Sequence, residues 1–89
     1  MIEQHLKIEN RLGLHARPAA LIAQTAAKFK ANISLTKDQI TINAKSIMGV
    51  MMLAAEFGSS LCLKTEGPDE KEAAEALKKL FDDKFNEDF

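Results

Sequence analysis

The segment Gly13-Leu14-His15-Ala16-Arg17-Pro18 places an imidazole and a guanidinium two positions apart, directly ahead of a run of small and apolar residues. That pairing suits the handling of phosphate. With an unperturbed pKa of about 6.5, histidine offers a neutral, nucleophilic ring nitrogen near pH 7. An arginine beside it supplies charge-assisted hydrogen bonds to anionic oxygens.

An element must aim these groups, and the chain provides one. Ala19, Ile22, Ala26 and Phe29 recur at spacings of three and four, the period that lines one face of a helix running from Ala16 to Phe29. Pro18 fits the first turn, where its missing N–H has no carbonyl partner to lose. His15 therefore falls near the N-cap. The unpaired first-turn N–H groups and the helix dipole favour an anion at that end, and Arg17 can reach the same anion.

Eighty-nine residues are read as a single domain, 1–89, with a thin stability margin. The chain is 46% hydrophobic and 28% charged with a formal net charge of −1, so it is an ordinary globular composition with no broad cationic footprint for nucleic acid. Cys62 is the only cysteine and has no internal partner. The N-terminus lacks a basic segment followed by an apolar one, which points to a cytoplasmic protein without a targeting segment. No apolar run approaches the roughly 20 residues that span a bilayer, so membrane insertion is not expected. His5 and His15 are the only histidines, and no Cys/His/carboxylate cluster has metal-ligand spacing. Neither metal nor cofactor is expected.

Period-two alternation marks four strands. Ile2, Leu6 and Ile8 lie on one side of the first, with Glu3, His5, Lys7 and Glu9 on the other; the pattern returns at Ile33/Leu35, Ile40/Ile42 and Leu61/Leu63. Lys37-Asp38-Gln39 is short enough for a hairpin turn. Gly67-Pro68 ends the last strand, and Asp69 with Glu72 three residues on has the form of a capping box opening a final helix striped by Ala73, Leu77, Leu80 and Phe81. The expected fold is α+β, an open-faced sandwich in the order βαββαβα: a four-stranded antiparallel sheet with three helices on one face.

Between the third and fourth strands, Lys45 to Leu53 holds more apolar residues than one buried stripe can use. Ile47, Val50 and Met51 cannot all point inward together with Met48 and Met52. Two readings stand: exposed methionines forming an adaptable partner surface, or methionines filling an irregular core. Ser46 precedes this helix as a natural N-cap for the Gly49 N–H. A phosphate on that hydroxyl would meet free N–H groups and the positive end of the dipole.

Gly13 to Ala20 resembles the active-site motif of HPr, the histidine-containing phosphocarrier family of the bacterial phosphoenolpyruvate-dependent phosphotransferase system, and Lys45 to Met51 resembles that family's second motif, around its regulatory serine. The separation of the two motifs, the chain length and the order of elements also fit. The resemblance implies a monomeric, stoichiometric carrier that is not itself an enzyme: phosphorylated enzyme I passes a phosphoryl group to Nδ1 of His15, and the carrier hands it to enzyme IIA of a sugar transporter. Arg17 and the backbone N–H groups of Ala16 and Arg17 would then stabilise the moving phosphoryl oxygens. Leu14, Ala20, Ile47, Met48 and Met51 are implied as the partner interface. Ser46 is implied as the target of HPr kinase/phosphorylase in bacteria that possess one, with a transcriptional regulator as a further partner. A nitrogen-type regulatory phosphorelay, or a mainly regulatory binding protein controlled at Ser46, is the alternative within the same fold.

Some residues depart from the family's pattern. Gln24 and Ala27 stand where many members carry lysines, with Lys28 and Lys30 further on, which implies weaker electrostatic steering. Leu12 puts an apolar side chain near the active loop. Phe57, just before Gly58, is expected to pack against the body of the protein, the alternative being a partner contact. His5 is assigned to the exposed face of the first strand, and Cys62 to the sheet face turned away from the helices.

Overall fold

Alternating apolar residues build a four-stranded sheet in the computed structural model, which describes residues 1–87. The order is β1 (Ile2–Lys7), α1 (Ala16–Ala26), β2 (Asn32–Lys37), β3 (Ile40–Asn43), α2 (Ile47–Met52), β4 (Ser60–Glu66) and α3 (Glu70–Asp82), with a final turn at Lys84–Asn86. The last two residues of the expected 1–89 domain lie outside the described range. Strands are ordered β1-β4-β2-β3, and every neighbouring pair is antiparallel. Thus β1 and β2 run parallel with β4 between them, as in a split βαβ unit. The β2–β3 connection turns at Asp38 and Gln39, both at positive φ, the geometry that matches the twist of a two-residue hairpin.

Register sets the core. Leu6 lies opposite Leu61, and Leu35 lies between Leu63 on one side and Ile42 on the other. These side chains meet Ala19, Ile22 and Ala26 of α1, Val50 of α2, and Ala73, Leu77 and Phe81 of α3 in one buried cluster. Thr65 is buried among them and donates its hydroxyl to the Glu70 carbonyl at 2.9 Å. His5 is exposed, and Cys62 is partly exposed between the buried Leu61 and Leu63.

Several expectations are corrected. The first helix ends at Ala26, not Phe29, because Lys28 and Phe29 donate their N–H groups to the carbonyls three residues back and tighten the chain out of the helix. Asp69 is the N-cap of α3 by position but caps nothing with its side chain. Its carboxylate instead accepts the N–H groups of Lys30 and Ala31, each at 2.8 Å, and so joins α3 to the entry of β2. Those two hydrogen bonds, that from Lys30 foremost, hold its carboxyl below the usual range. Glu72 makes no described hydrogen bond to the cap; Glu70 instead accepts the N–H of Gly67, two residues ahead of Asp69, at 3.1 Å. Leu14, expected at the partner interface, is 5% exposed and packs into the core, since its N–H is tied to the Ala55 carbonyl and its side chain turns inward. Phe57, expected to pack, is 61% exposed.

Candidate functional site

The loop leading into α1 is held from two sides. Gly13 has φ +70°, and a Cβ there would lie 2.5 Å from the Ala55 carbonyl oxygen, so any side chain would strain the turn and push it off its neighbour. Leu14 then donates its N–H to that same oxygen at 3.0 Å. Across the loop, the buried Asn10 donates from Nδ2 to the Gly13 carbonyl at 2.8 Å. His15 follows as the N-cap of α1, with extended backbone and its carbonyl accepting from Ala19 at 3.0 Å.

The imidazole does not cap the helix. Its Nε2 lies 2.7 Å from Oε2 of Glu87, a residue 72 positions away. Asn10 reaches the other carboxylate oxygen, donating from Nδ2 to Oε1 of Glu87 at 2.8 Å. Arg17 completes the cluster, with Nη1 3.5 Å from Oε2. The Glu87 side chain is 1% exposed, whereas His15 is 35% and Arg17 56% exposed. Burial alone would push the Glu87 carboxyl up. The hydrogen bonds from Asn10 and His15 and the charges of His15 and Arg17 outweigh it, and the carboxyl is held below its ordinary value.

Helix geometry leaves the N–H groups of Ala16 and Arg17 without an i−4 carbonyl, and Pro18 contributes none. No described protein group hydrogen-bonds Nδ1 of His15. A partly exposed imidazole, two first-turn amides without helical partners and a guanidinium thus lie at one helix end. Neither main concavity of the surface includes these residues: the larger, about 550 Å³, is lined from β2, β3 and β4 by residues such as Ser34, Asn43 and Lys64. A site so open suits a reactive group delivered by another macromolecule more than an enclosed small substrate.

Ser46 is exposed and caps α2, its Oγ accepting from the Gly49 N–H at 3.0 Å. Lys45 donates its ammonium to the Phe29 carbonyl at 2.8 Å, which fastens this motif to the turn after α1. Of the apolar residues in α2, only Val50 is buried; Ile47, Met48, Met51 and also Met52 are exposed, so the methionines form a surface. Ala20 is half-buried on α1, which packs against α2. Leu12 is exposed beside the loop. Among the described residues no cluster of three or more His, Cys, Asp or Glu side chains is arranged to hold a metal ion, and no helix is long and apolar enough to cross a membrane.

Asn10 and Glu87 are not legible as site residues in the sequence. A single amide in the loop and a carboxylate in a polar tail carry no periodic or spacing signal, and only the folded chain brings them to His15.

The family model described as the PTS HPr component phosphorylation site matches residues 2–83. The phosphocarrier protein HPr of Treponema pallidum is 52% identical over 88 residues, covering 99% of this chain and all of that protein. Among solved structures, HPr from Thermoanaerobacter tengcongensis superposes with a TM-score of 0.96 at 49% identity, with both chains fully covered. Crh, the catabolite repression protein of Bacillus subtilis, is also similar: 42% identical, TM-score 0.75, covering 94% of this chain and 97% of its own, in a structure described as a dimer with a swapped domain.

Proposed function

The chain belongs to the HPr family of phosphotransferase-system phosphocarriers, and from that premise we propose that His15 takes a phosphoryl group from phosphorylated enzyme I and passes it to enzyme IIA of a sugar transporter. The observation that carries this reading is the open end of α1, where among the described residues no protein group hydrogen-bonds Nδ1 of His15, beside the first-turn amides and Arg17.

The Nδ1 lone pair forms the bond to phosphorus while the donor's leaving atom departs with the electron pair of its own bond to phosphorus. The N–H groups of Ala16 and Arg17 and the guanidinium then face phosphoryl oxygens, the electrostatic assistance on which such transfers depend. Every group returns unchanged after the second transfer, so the protein is a stoichiometric carrier and not an enzyme. Ala20, Ile47, Met48 and Met51 form the docking surface, suited to brief encounters that dissociate fast. The carrier works as a cytoplasmic monomer. Ser46, exposed at the start of α2, is the regulatory phosphorylation site for an HPr kinase/phosphorylase, through which a transcriptional regulator can be engaged.

Two labelling experiments test the two sites. With enzyme I and labelled phosphoenolpyruvate, the wild type is expected to gain acid-labile label that His15→Ala lacks; label retained by His15→Ala contradicts the reading. With HPr kinase and labelled ATP, acid-stable label lost in Ser46→Ala is expected. Absence of label in the wild type would leave Ser46 as a helix cap alone.

A further inference from the structure

We infer that Glu87 is a positioning residue for the transfer: it fixes the His15 tautomer by holding the ring proton on Nε2, which leaves the lone pair on Nδ1 for attack at phosphorus. The inference rests on the carrier reading above and adds a requirement to it.

Three observations combine. Both N–H bonds of the Asn10 amide are committed to acceptors, the Gly13 carbonyl and Oε1 of Glu87, so the amide has one possible orientation. The Glu87 carboxylate is therefore gripped on one oxygen, while the other lies 2.7 Å from Nε2 of His15. An ionised carboxylate has no proton to give, so the proton shared in that contact belongs to the ring. Arg17, the remaining charge at this carboxylate, favours its ionised form.

This arrangement removes proton movement from the transfer. Attack by Nδ1 converts a neutral ring protonated at Nε2 into an Nδ1-phosphorylated imidazolium, and the new positive charge faces Glu87. When the next acceptor's lone pair bonds phosphorus, the N–P electron pair returns to Nδ1 and the ring is neutral again. The same proton stays on Nε2 throughout. The contact is the one by which a carboxylate orients a catalytic histidine in other proteins, with the opposite ring nitrogen engaged.

The amide clamp makes the test sharp. In Glu87→Gln, Asn10 keeps the new carbonyl oxygen on its own side, which turns the –NH2 group toward Nε2. The ring must then accept at Nε2 and carry its proton on Nδ1, where it blocks attack. Glu87→Ala leaves the ring to solvent and to both tautomers. The isosteric variant is thus expected to be the worse of the two, the reverse of what a merely structural contact would give.

Nitrogen-15 NMR of the His15 ring at neutral pH reads the tautomer in the free protein, and the initial rate of labelling by enzyme I and phosphoenolpyruvate reads the consequence. The wild type is expected to be protonated at Nε2. Glu87→Gln should be protonated at Nδ1 and accept label slower by roughly 10²-fold or more, with Glu87→Ala between them. Adding Asn10→Ala to Glu87→Gln frees the amide to rotate and should recover rate. Backbone amide spectra confirm that each variant is folded. A wild-type ring protonated at Nδ1, or a Glu87→Gln protein that accepts label at least as fast as Glu87→Ala, overturns the inference. If the wild type takes no label, the carrier reading fails, and the ring spectra alone still decide the tautomer.

Discussion

At the scale of single residues, His15 and Arg17 were legible because their chemistry coincides with a helix start that Pro18 and the apolar period mark in the sequence. Ser46 was legible for a similar reason, as a hydroxyl three residues ahead of the N–H it caps. Glu87 was not: nothing local distinguishes it from the other carboxylates of the tail, and its role depends on burial and on Asn10. Its buried charge has a consequence for stability. The folded carboxyl sits below its ordinary value of 4.5, so its contribution to stability is present above that pH and is lost as pH falls through the folded value. Urea midpoints for the wild type and Glu87→Ala should therefore differ most at neutral pH, and the gap should narrow below about pH 4.5. A gap that stays constant down to pH 2 would show that the charged contacts do not stabilise the fold.

The elements are unevenly legible in the sequence. Most strands and helices followed from alternation and from the three-and-four spacing, because they bury one face against a shared core; β3 only borders it through half-buried Ile42, with Ile40 exposed. Their ends were harder. Asp69 and Glu72 have the spacing of a capping box, yet the Asp69 carboxylate finds two backbone N–H groups at the entry of β2, a tertiary contact that local spacing cannot announce. The element that delivers Glu87 is stranger. Lys84, Phe85 and Asn86 take φ values of 53°, 56° and 61°, left-handed backbone that costs about 1–2 kcal/mol per residue outside glycine. Phe85 offsets that strain: it is fully buried, edge-on to Phe81 with ring centroids 4.9 Å apart. Phe85→Ala is expected to lower unfolding stability by about 3–5 kcal/mol and to free Glu87 from His15, read as altered His15 ring shifts. A loss below about 1 kcal/mol with unchanged ring shifts would show that other contacts hold the turn.

For the whole molecule, the single core follows from amphipathic strands and helices that share one covered face of the sheet. What the pattern could not convey is that the fold brings the loop before α1 and the tail after α3 together across 72 positions, so that residues from both ends of the chain complete one site. The resulting surface is open, with an acceptor ring at a helix end and exposed methionines on the neighbouring helix. Such a surface suits transfer between proteins, with Nδ1 of His15 as the proposed acceptor atom. The decisive measurement is NMR of the wild-type protein after phosphorylation by enzyme I and phosphoenolpyruvate, with phosphorus–nitrogen couplings locating the bond. One phosphoryl group per chain is expected, on Nδ1 of His15, with Nε2 still protonated. Phosphorus on Nε2, or on any residue other than His15, would contradict it.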